Sequence, residues 1–298
     1  DTGAGSSWGV SANWAGDVIP PNASNSHVVI DNRNGTGTIS TLSISAARTL
    51  GTITFDNINS KLATTLNVDT NFSEVTDRTL TLHGGITLQN TDTSVVFRGN
   101  NGVLTIHLAA DNVFATSSNS LLRINDEAVV TGAGKITKTG TGTLYLEGTN
   151  SHLGGTDINS GTVQVGRSES LGAGNVKLGS VGGGDASLVG IYAGYTQSNN
   201  IEVIAGSGGT LTLGYTSTST EFSTSFTGAI SLYDHLVIYG NSGTGLGLRV
   251  RGEITGTQGI HKTGNGRVRI EGGNSGYSGT TTISAGILQV GNGSTTGT

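Results

Sequence analysis

The chain has 298 residues, among them 50 glycines, two prolines and no cysteine, and its formal net charge is −5. Fifteen Lys and Arg against 20 Asp and Glu argue against nucleic-acid binding, which needs a basic surface. The absence of Cys excludes a disulfide framework and thiolate metal sites, and no apolar run approaches the roughly 18 residues of a transmembrane helix.

Ten short runs alternate apolar and polar residues, which is typical of strands with one buried face. In chain order they are residues 41–45, 52–55, 79–84, 103–108, 143–148, 162–166, 210–214, 248–252, 267–272 and 287–291. No segment combines a helical apolar stripe with capping residues; residues 45–50 come nearest and are too short. The sequence therefore predicts an all-β protein with essentially no helix.

One phrase of the chain occurs twice, since residues 138–156 are echoed by residues 262–280 at an offset of 124. Further along the offset becomes 125, so one extra residue lies between Thr280 and Gly286. An insertion inside a strand would move every following side chain to the opposite face. We therefore expect the extra residue in a turn or bulge.

Repetition of short strands favours a parallel β-helix over other all-β folds. Its coils would hold about 20–25 residues and stack at about 4.8 Å. A β-sandwich remains an alternative, because Asn-Gly dipeptides typical of hairpin turns occur at residues 34–35 and 101–102.

Residues 136–178 read ITKTGTGTLYLEGTNSHLGGTDINSGTVQVGRSESLGAGNVKL, and residues 260–291 repeat most of this pattern. The pattern resembles the autotransporter-associated β-strand repeat, also called the passenger-associated transport repeat. Its positions are filled in the first copy by Ile136, Lys138, Gly140, Gly142, Leu144, Leu146, Gly148, Asn150, Gly155, Thr156, Gly161, Val165, Leu171 and Gly172. The second copy has Tyr277 at the aromatic position where the first has Leu153.

The resemblance implies a right-handed parallel β-helix that is secreted or lies on the cell surface. It supplies no catalytic residue. The second copy stops before the expected Leu-Gly pair, so we expect a segment of a longer protein or an end completed by another subunit.

The two tryptophans, Trp8 and Trp14, lie near the N-terminus. They favour an N-terminal cap on the solenoid, because its first coil exposes apolar core and backbone edge; a sugar-stacking platform is the alternative. The predicted domains are a capping segment at 1–30 and a β-helix at 31–298, with related repeat units at 132–178 and 256–298.

Charged residues recur in the repeat at Lys138 and Lys262 and at Glu147 and Glu271. We predict that all four are exposed and structural, and that each Glu forms a surface salt bridge with a nearby Lys or Arg. Such a pair contributes about 0–1 kcal/mol.

The tightest acidic pair is Asp126-Glu127, and neighbouring residues of a strand point to opposite faces, so we predict a solvated turn there. Six scattered histidines show no metal-binding spacing and are expected to be exposed, although His83 and His107 could stack on successive coils. The sequence predicts no catalytic, cofactor-binding or metal-binding residue and no cofactor. The histidines are His27, His83, His107, His152, His235 and His261.

Three functions fit this pattern. The first is a non-catalytic extracellular β-solenoid, a surface stalk or filament module that stacks head to tail with copies of itself. The second is an adhesin or glycan-binding module with an exposed tyrosine ladder, and the third is a polysaccharide lyase or hydrolase, which needs two carboxylates, or a carboxylate with Lys or Arg, in one groove. The tyrosines are Tyr145, Tyr192, Tyr195, Tyr215, Tyr233, Tyr239 and Tyr277.

Overall fold

The computed structural model describes residues 6–7, 20–31, 41–44, 46–56, 66–70, 77–217, 224–241, 247–273 and 276–291. The chain divides into two compact units, Asp1–Gly154 and Gly155–Thr298. Both units are built from short parallel strands that pair from coil to coil, and the described residues contain no helix. Each unit is therefore a stretch of β-solenoid, which confirms the predicted fold class.

The described residues of unit 1 form thirteen strands in two sheets. Sheet 1a has the order β1-β3-β5-β7-β10-β13. In sheet 1b the long strand β6 pairs with β8 through its first half and with β9 through its second half, and these continue to β11 and β12; β4 and β2 lie on the other side of β6. The strands are β1 (Ser6–Ser7), β2 (His27–Asp31), β3 (Thr41–Ile44), β4 (Arg48–Asp56), β5 (Leu66–Thr70), β6 (Arg78–Leu88), β7 (Ser94–Arg98), β8 (Leu104–Leu108), β9 (Asn112–Thr116), β10 (Leu121–Ile124), β11 (Ala128–Gly132), β12 (Ile136–Thr139) and β13 (Thr143–Leu146).

In the part of unit 2 that the structure describes, sixteen strands form three sheets. Sheet 2a has the order β15-β17-β20-β23-β26-β28, sheet 2b the order β14-β16-β19-β22-β25, and sheet 2c the order β18-β21-β24-β27-β29. From β19 to β27 the chain visits sheets 2b, 2a and 2c in turn, so these coils have three sides. The strands are β14 (Thr156–Ile158), β15 (Gly161–Val165), β16 (Val176–Leu178), β17 (Ala186–Gly190), β18 (Thr196–Gln197), β19 (Ile201–Val203), β20 (Leu211–Tyr215), β21 (Ser225–Phe226), β22 (Ile230–Leu232), β23 (Leu236–Gly240), β24 (Leu248–Val250), β25 (Ile254–Gly256), β26 (Ile260–Thr263), β27 (Arg267–Ile270), β28 (Thr281–Ile283) and β29 (Ile287–Val290).

The apolar core runs inside the coils. Alternate residues of β8, namely Leu104, Ile106 and Leu108, are fully buried, whereas the residues between them are partly exposed. Phe55 and Phe97 meet edge to face in the same unit, with ring centroids 6.2 Å apart. Burial of each such aliphatic or aromatic side chain contributes about 1.5–3 kcal/mol to folding stability. This alternation therefore keeps the short strands packed against the core.

All ten predicted runs form strands, and the helix candidate at 45–50 instead leads into β4, which begins at Arg48. The Asn101-Gly102 signal does not mark a hairpin, because β7 and β8 on either side of it belong to different sheets. Asn101 has a φ of 61°, so this turn is a corner of the coil. Asn34-Gly35 lies outside the described residues.

The extra residue of the second repeat lies in a turn, as predicted. Strand β14 begins at Thr156 and its counterpart β28 begins at Thr281, an offset that already includes the insertion. The added position therefore lies at or before Thr280, just outside the interval between Thr280 and Gly286 that the sequence comparison gave, and it leaves the alternation of β28 intact.

The predicted N-terminal cap at 1–30 falls largely outside the described residues, and so do Trp8 and Trp14. The cap, the handedness of the coil and the division between 1–30 and 31–298 therefore stay predictions.

Candidate functional site

The recurring lysine of the first repeat lies inside the protein. Lys138 is in β12 on the same side as the buried Ile136, and its own side chain is fully buried. Its Nζ donates hydrogen bonds to the carbonyl oxygens of Thr139 and Gly140 at 2.8 and 2.7 Å. The prediction that Lys138 is exposed was wrong, because a lysine can bury its apolar stem when the ammonium group reaches backbone carbonyls.

Lys262 repeats this arrangement in β26 and is also fully buried, so the prediction of its exposure was wrong too. Its Nζ donates to the carbonyl oxygens of Thr263 at 2.6 Å, Gly264 at 2.7 Å and Ala285 at 3.0 Å. In both repeats the lysine therefore holds the corner that directly follows its own strand.

Burial changes the protonation of both lysines. Desolvation lowers the pKa of Lys138 from 10.5 to about 7 and also lowers the pKa of Lys262. A lowered lysine pKa is a feature of nucleophilic catalysts. Both side chains are fully buried and donate to backbone carbonyls, so neither is placed to meet a substrate.

Glu147, directly after β13, forms the predicted ion pair, but its side chain is only 6% exposed. Arg123 of the preceding coil donates from Nε to Oε2 of Glu147 at 2.6 Å. The same guanidinium lies 5.1 Å from the ring centre of Tyr145 and covers that ring, which is why Tyr145 is buried. The predicted partner type was right and the predicted surface position was wrong.

Glu271 occupies the equivalent place after β27 and is surrounded by three arginines. Arg249 donates from Nε to Oε1 at 3.1 Å and from Nη2 to Oε2 at 2.8 Å. Nε of Arg251 lies 3.3 Å from Oε2, and Nη1 of Arg269 lies 3.5 Å from Oε1. Glu271 is also only 6% exposed, so the prediction of an exposed residue was wrong here as well. Arg269 further donates from Nε to Oε1 of Gln289 at 3.1 Å.

The sequence did not reveal Arg123 and Arg249 as partners of these glutamates. They precede Glu147 and Glu271 by 24 and 22 residues, because the two coils differ in length. No fixed offset therefore relates the two pairs. The available signal was local: a Leu-Arg-Ile or Leu-Arg-Val run one coil upstream of each Glu.

The histidines do not form a site. Strand register places Thr81, rather than His83, beside His107, so the two histidines do not stack on successive coils. His152 is fully buried, and burial lowers its pKa to about 4, so the expected exposure was wrong for it. Exposure is confirmed for His27, His235 and His261.

Asp126 and Glu127 are exposed in the turn between β10 and β11, as predicted. The backbone N–H of Glu127 donates to Oδ1 of Asn125 at 3.1 Å, which holds the turn. Within the described ranges, no group of three or more His, Asp and Glu residues could hold a metal ion.

A groove of about 630 Å³ in unit 2 is lined by Asp234, His235 and His261, together with neutral residues. The oxygens of Asp234 accept hydrogen bonds from the backbone N–H groups of Ser207 at 3.2 Å and His235 at 2.8 Å. Neither a second carboxylate nor a Lys or Arg lines this groove. It therefore lacks the pair that the lyase or hydrolase hypothesis requires.

The tyrosines do not form the exposed ladder that the adhesin hypothesis predicted. Tyr145 and Tyr215 are buried, whereas Tyr192 and Tyr233 are about half exposed, at 47% and 58%. Register sets Tyr215 beside Gly240, one residue away from Tyr239.

Among the residues whose placement is described, no helix is long and apolar enough to cross a membrane.

Residues 136–165 and 260–290 each match the passenger-associated-transport-repeat family. The chain therefore contains two passenger-associated transport repeats. Both matches coincide with the two copies predicted from the sequence, and each contains one buried lysine and one buried glutamate.

The chain is also similar to the adhesin BmaC autotransporter of Brucella suis biovar 1 (strain 1330), with 32% identity over 203 residues. The aligned region covers 67% of this chain and 5% of the adhesin, so the chain spans a small part of the length of this relative. No solved structure matches the chain.

Proposed function

We propose that the chain is a non-catalytic segment of an extracellular, adhesin-like passenger, in which the transport repeats build a stiff surface stalk. The observation that supports this most is the placement of Lys138 and Lys262. The two recurring lysines point into the coil and donate to corner carbonyls, so this recurring feature serves architecture. The similarity to a part of an autotransporter adhesin supports a location outside the cell.

Head-to-tail stacking is the finer form of this proposal. Among the described residues, β28 pairs only with β26 and β29 pairs only with β27, so each has an edge that can accept another parallel strand. Ile283 and Val290 on these strands are 54% and 66% exposed. Either further coils of a longer chain or the first coil of another copy would extend the solenoid there.

Two measurements on the purified chain test the stalk, the stacking and the absence of catalysis. We expect electron microscopy to show rods or end-to-end fibres, and we expect no release of reducing ends from neutral or acidic polysaccharides. Depolymerisation of a polysaccharide would overturn the non-catalytic proposal. Globular particles would overturn the stalk, and rods that remain single at high protein concentration would overturn stacking of separate copies.

A further inference from the structure

The outward face of sheet 2c concentrates positive charge. Four of the ten arginines of the chain, Arg249, Arg251, Arg267 and Arg269, lie on or directly after β24 and β27. They alternate with the buried residues Leu248, Val250, Val268 and Ile270, so their side chains point outward. We call these four residues the arginine face.

The arginine face carries more charge than the coil needs. In the first repeat, the ion pair of Arg123 and Glu147 holds the equivalent corner on its own, and the position of Arg269 is taken by Tyr145. The positions of Arg251 and Arg267 are taken there by Asn125 and Thr143. Three arginines of the face are thus additions to a corner that is complete without them.

These additions bring like charges close together on one sheet. Arg249 and Arg269 are directly opposite each other on adjacent strands, where like charges repel. All four arginines lie on one sheet face, and three of them share the single carboxylate of Glu271, so positive charge is concentrated there although the net charge of the chain is −5. A partner of opposite charge that binds to the arginine face would offset this repulsion.

The guanidinium groups are oriented and reachable. Glu271 and Gln289 hold Arg249 and Arg269 by hydrogen bonds, while the side chains of Arg249, Arg251 and Arg269 stay 27%, 51% and 20% exposed. Each guanidinium has five N–H donors, far more in total than one carboxylate can accept. Arg249 already binds the carboxylate of Glu271 through two parallel contacts, which is the geometry in which arginine takes carboxylates.

We propose that the arginine face binds a uronate-containing polysaccharide, whose carboxylates take the guanidinium donors left over by Glu271. Neighbouring strands are about 4.8 Å apart and alternate residues of one strand about 6.6 Å apart, so the charges form a lattice that a chain of repeated carboxylates can follow. The sheet face formed by β24, β27 and β29 has no aromatic side chain among its described residues, which disfavours a single-stranded nucleic acid, because nucleobases stack on aromatic rings.

The test is a titration of the purified chain with polygalacturonate oligomers, using neutral mannan, dextran sulfate and single-stranded DNA for comparison. We expect binding to polygalacturonate that weakens with added salt, and none to mannan. The double variant Arg251→Gln/Arg267→Gln should weaken binding about tenfold or more, since each substitution removes charge-assisted hydrogen bonds. The matched control Lys135→Gln/Lys177→Gln removes the same charge elsewhere and should bind like the parent.

Absence of polygalacturonate binding would overturn this inference, as would equal weakening by both double variants. Preference for dextran sulfate or DNA over polygalacturonate would also overturn it. Thermal unfolding of each variant separates loss of the ligand from loss of the fold. The inference rests on the adhesive part of the proposed function. Absence of polygalacturonate binding would not contradict the proposed stalk, because the stalk is tested separately by microscopy and by the depolymerisation assay.

Discussion

Replacing Lys138 with alanine is expected to lower the free energy of unfolding by about 3–5 kcal/mol. The substitution leaves a cavity in place of a fully buried side chain and removes the donor from the carbonyl oxygens of Thr139 and Gly140. Urea titration followed by circular dichroism measures the change as a shift in the unfolding midpoint. Lys177→Ala is the matched control, because Lys177 is exposed on β16 and its loss should cost less than about 0.5 kcal/mol.

The effect of Lys138→Ala should also depend on pH. The pKa of Lys138 is about 7 in the folded protein against 10.5 ordinarily, so between these pH values the unfolded chain binds a proton that the folded chain does not. Lys138 therefore makes the parent more stable as pH rises from 7 towards 10.5, by at most about 1.4 kcal/mol per pH unit, and has no such effect below pH 7. The alanine variant should lose the part of the rise that Lys138 contributes and keep the part from Lys262, whose pKa is also lowered, and Lys177→Ala should keep the whole rise. A parental slope in Lys138→Ala would show that Lys138 titrates as an exposed lysine.

Gly140→Ala is expected to destabilise the protein by a similar amount, about 3–5 kcal/mol. Gly140 has a φ of +75°, which costs any other residue about 1–2 kcal/mol. A Cβ at this position would lie 2.2 Å from the carbonyl oxygen of Thr116 on the neighbouring coil, so the coils would have to separate. The second repeat has the same constraint at Gly264, with a φ of +72° and a Cβ position 2.6 Å from the carbonyl oxygen of Gly240.

Gly184→Ala provides the comparison for this prediction. Gly184 lies outside the left-handed region, and a Cβ there would meet nothing within 4 Å. Its substitution should change the urea midpoint little. Equal effects of the two glycine variants would contradict the claim that the repeat glycines are fixed by close contact between coils.

The sequence predicted those strands whose alternation is long enough to see. Runs such as residues 103–108 and 287–291 alternate over at least two apolar positions and form β8 and β29. Strands such as β18 (Thr196–Gln197) and β21 (Ser225–Phe226) have two residues each and no periodicity of their own. They are strands because they stack on a neighbouring coil, and this information lies in residues about 25–30 positions away.

The charged residues were misjudged for a related reason. Lys138 shares its strand parity with Ile136 and so belongs to the inward set, but a charged residue is expected outside unless its partners are known. Those partners are backbone carbonyl oxygens at a corner of the coil. Because every residue has such an oxygen, residue types do not show which ones accept the hydrogen bonds. By contrast, Leu144, Leu146, Val268 and Ile270 are apolar at alternate positions of equivalent strands, and all four are buried.

Surface acetylation of the native protein, followed by mass spectrometry of its peptides, tests most directly whether the recurring lysines of the repeat lie inside the coil. We expect Lys177 to react readily, while Lys138 and Lys262 stay unmodified until denaturant is added. If Lys138 and Lys262 react at the rate of Lys177 in the folded protein, both lysines are exposed, and their proposed role inside the coil is contradicted.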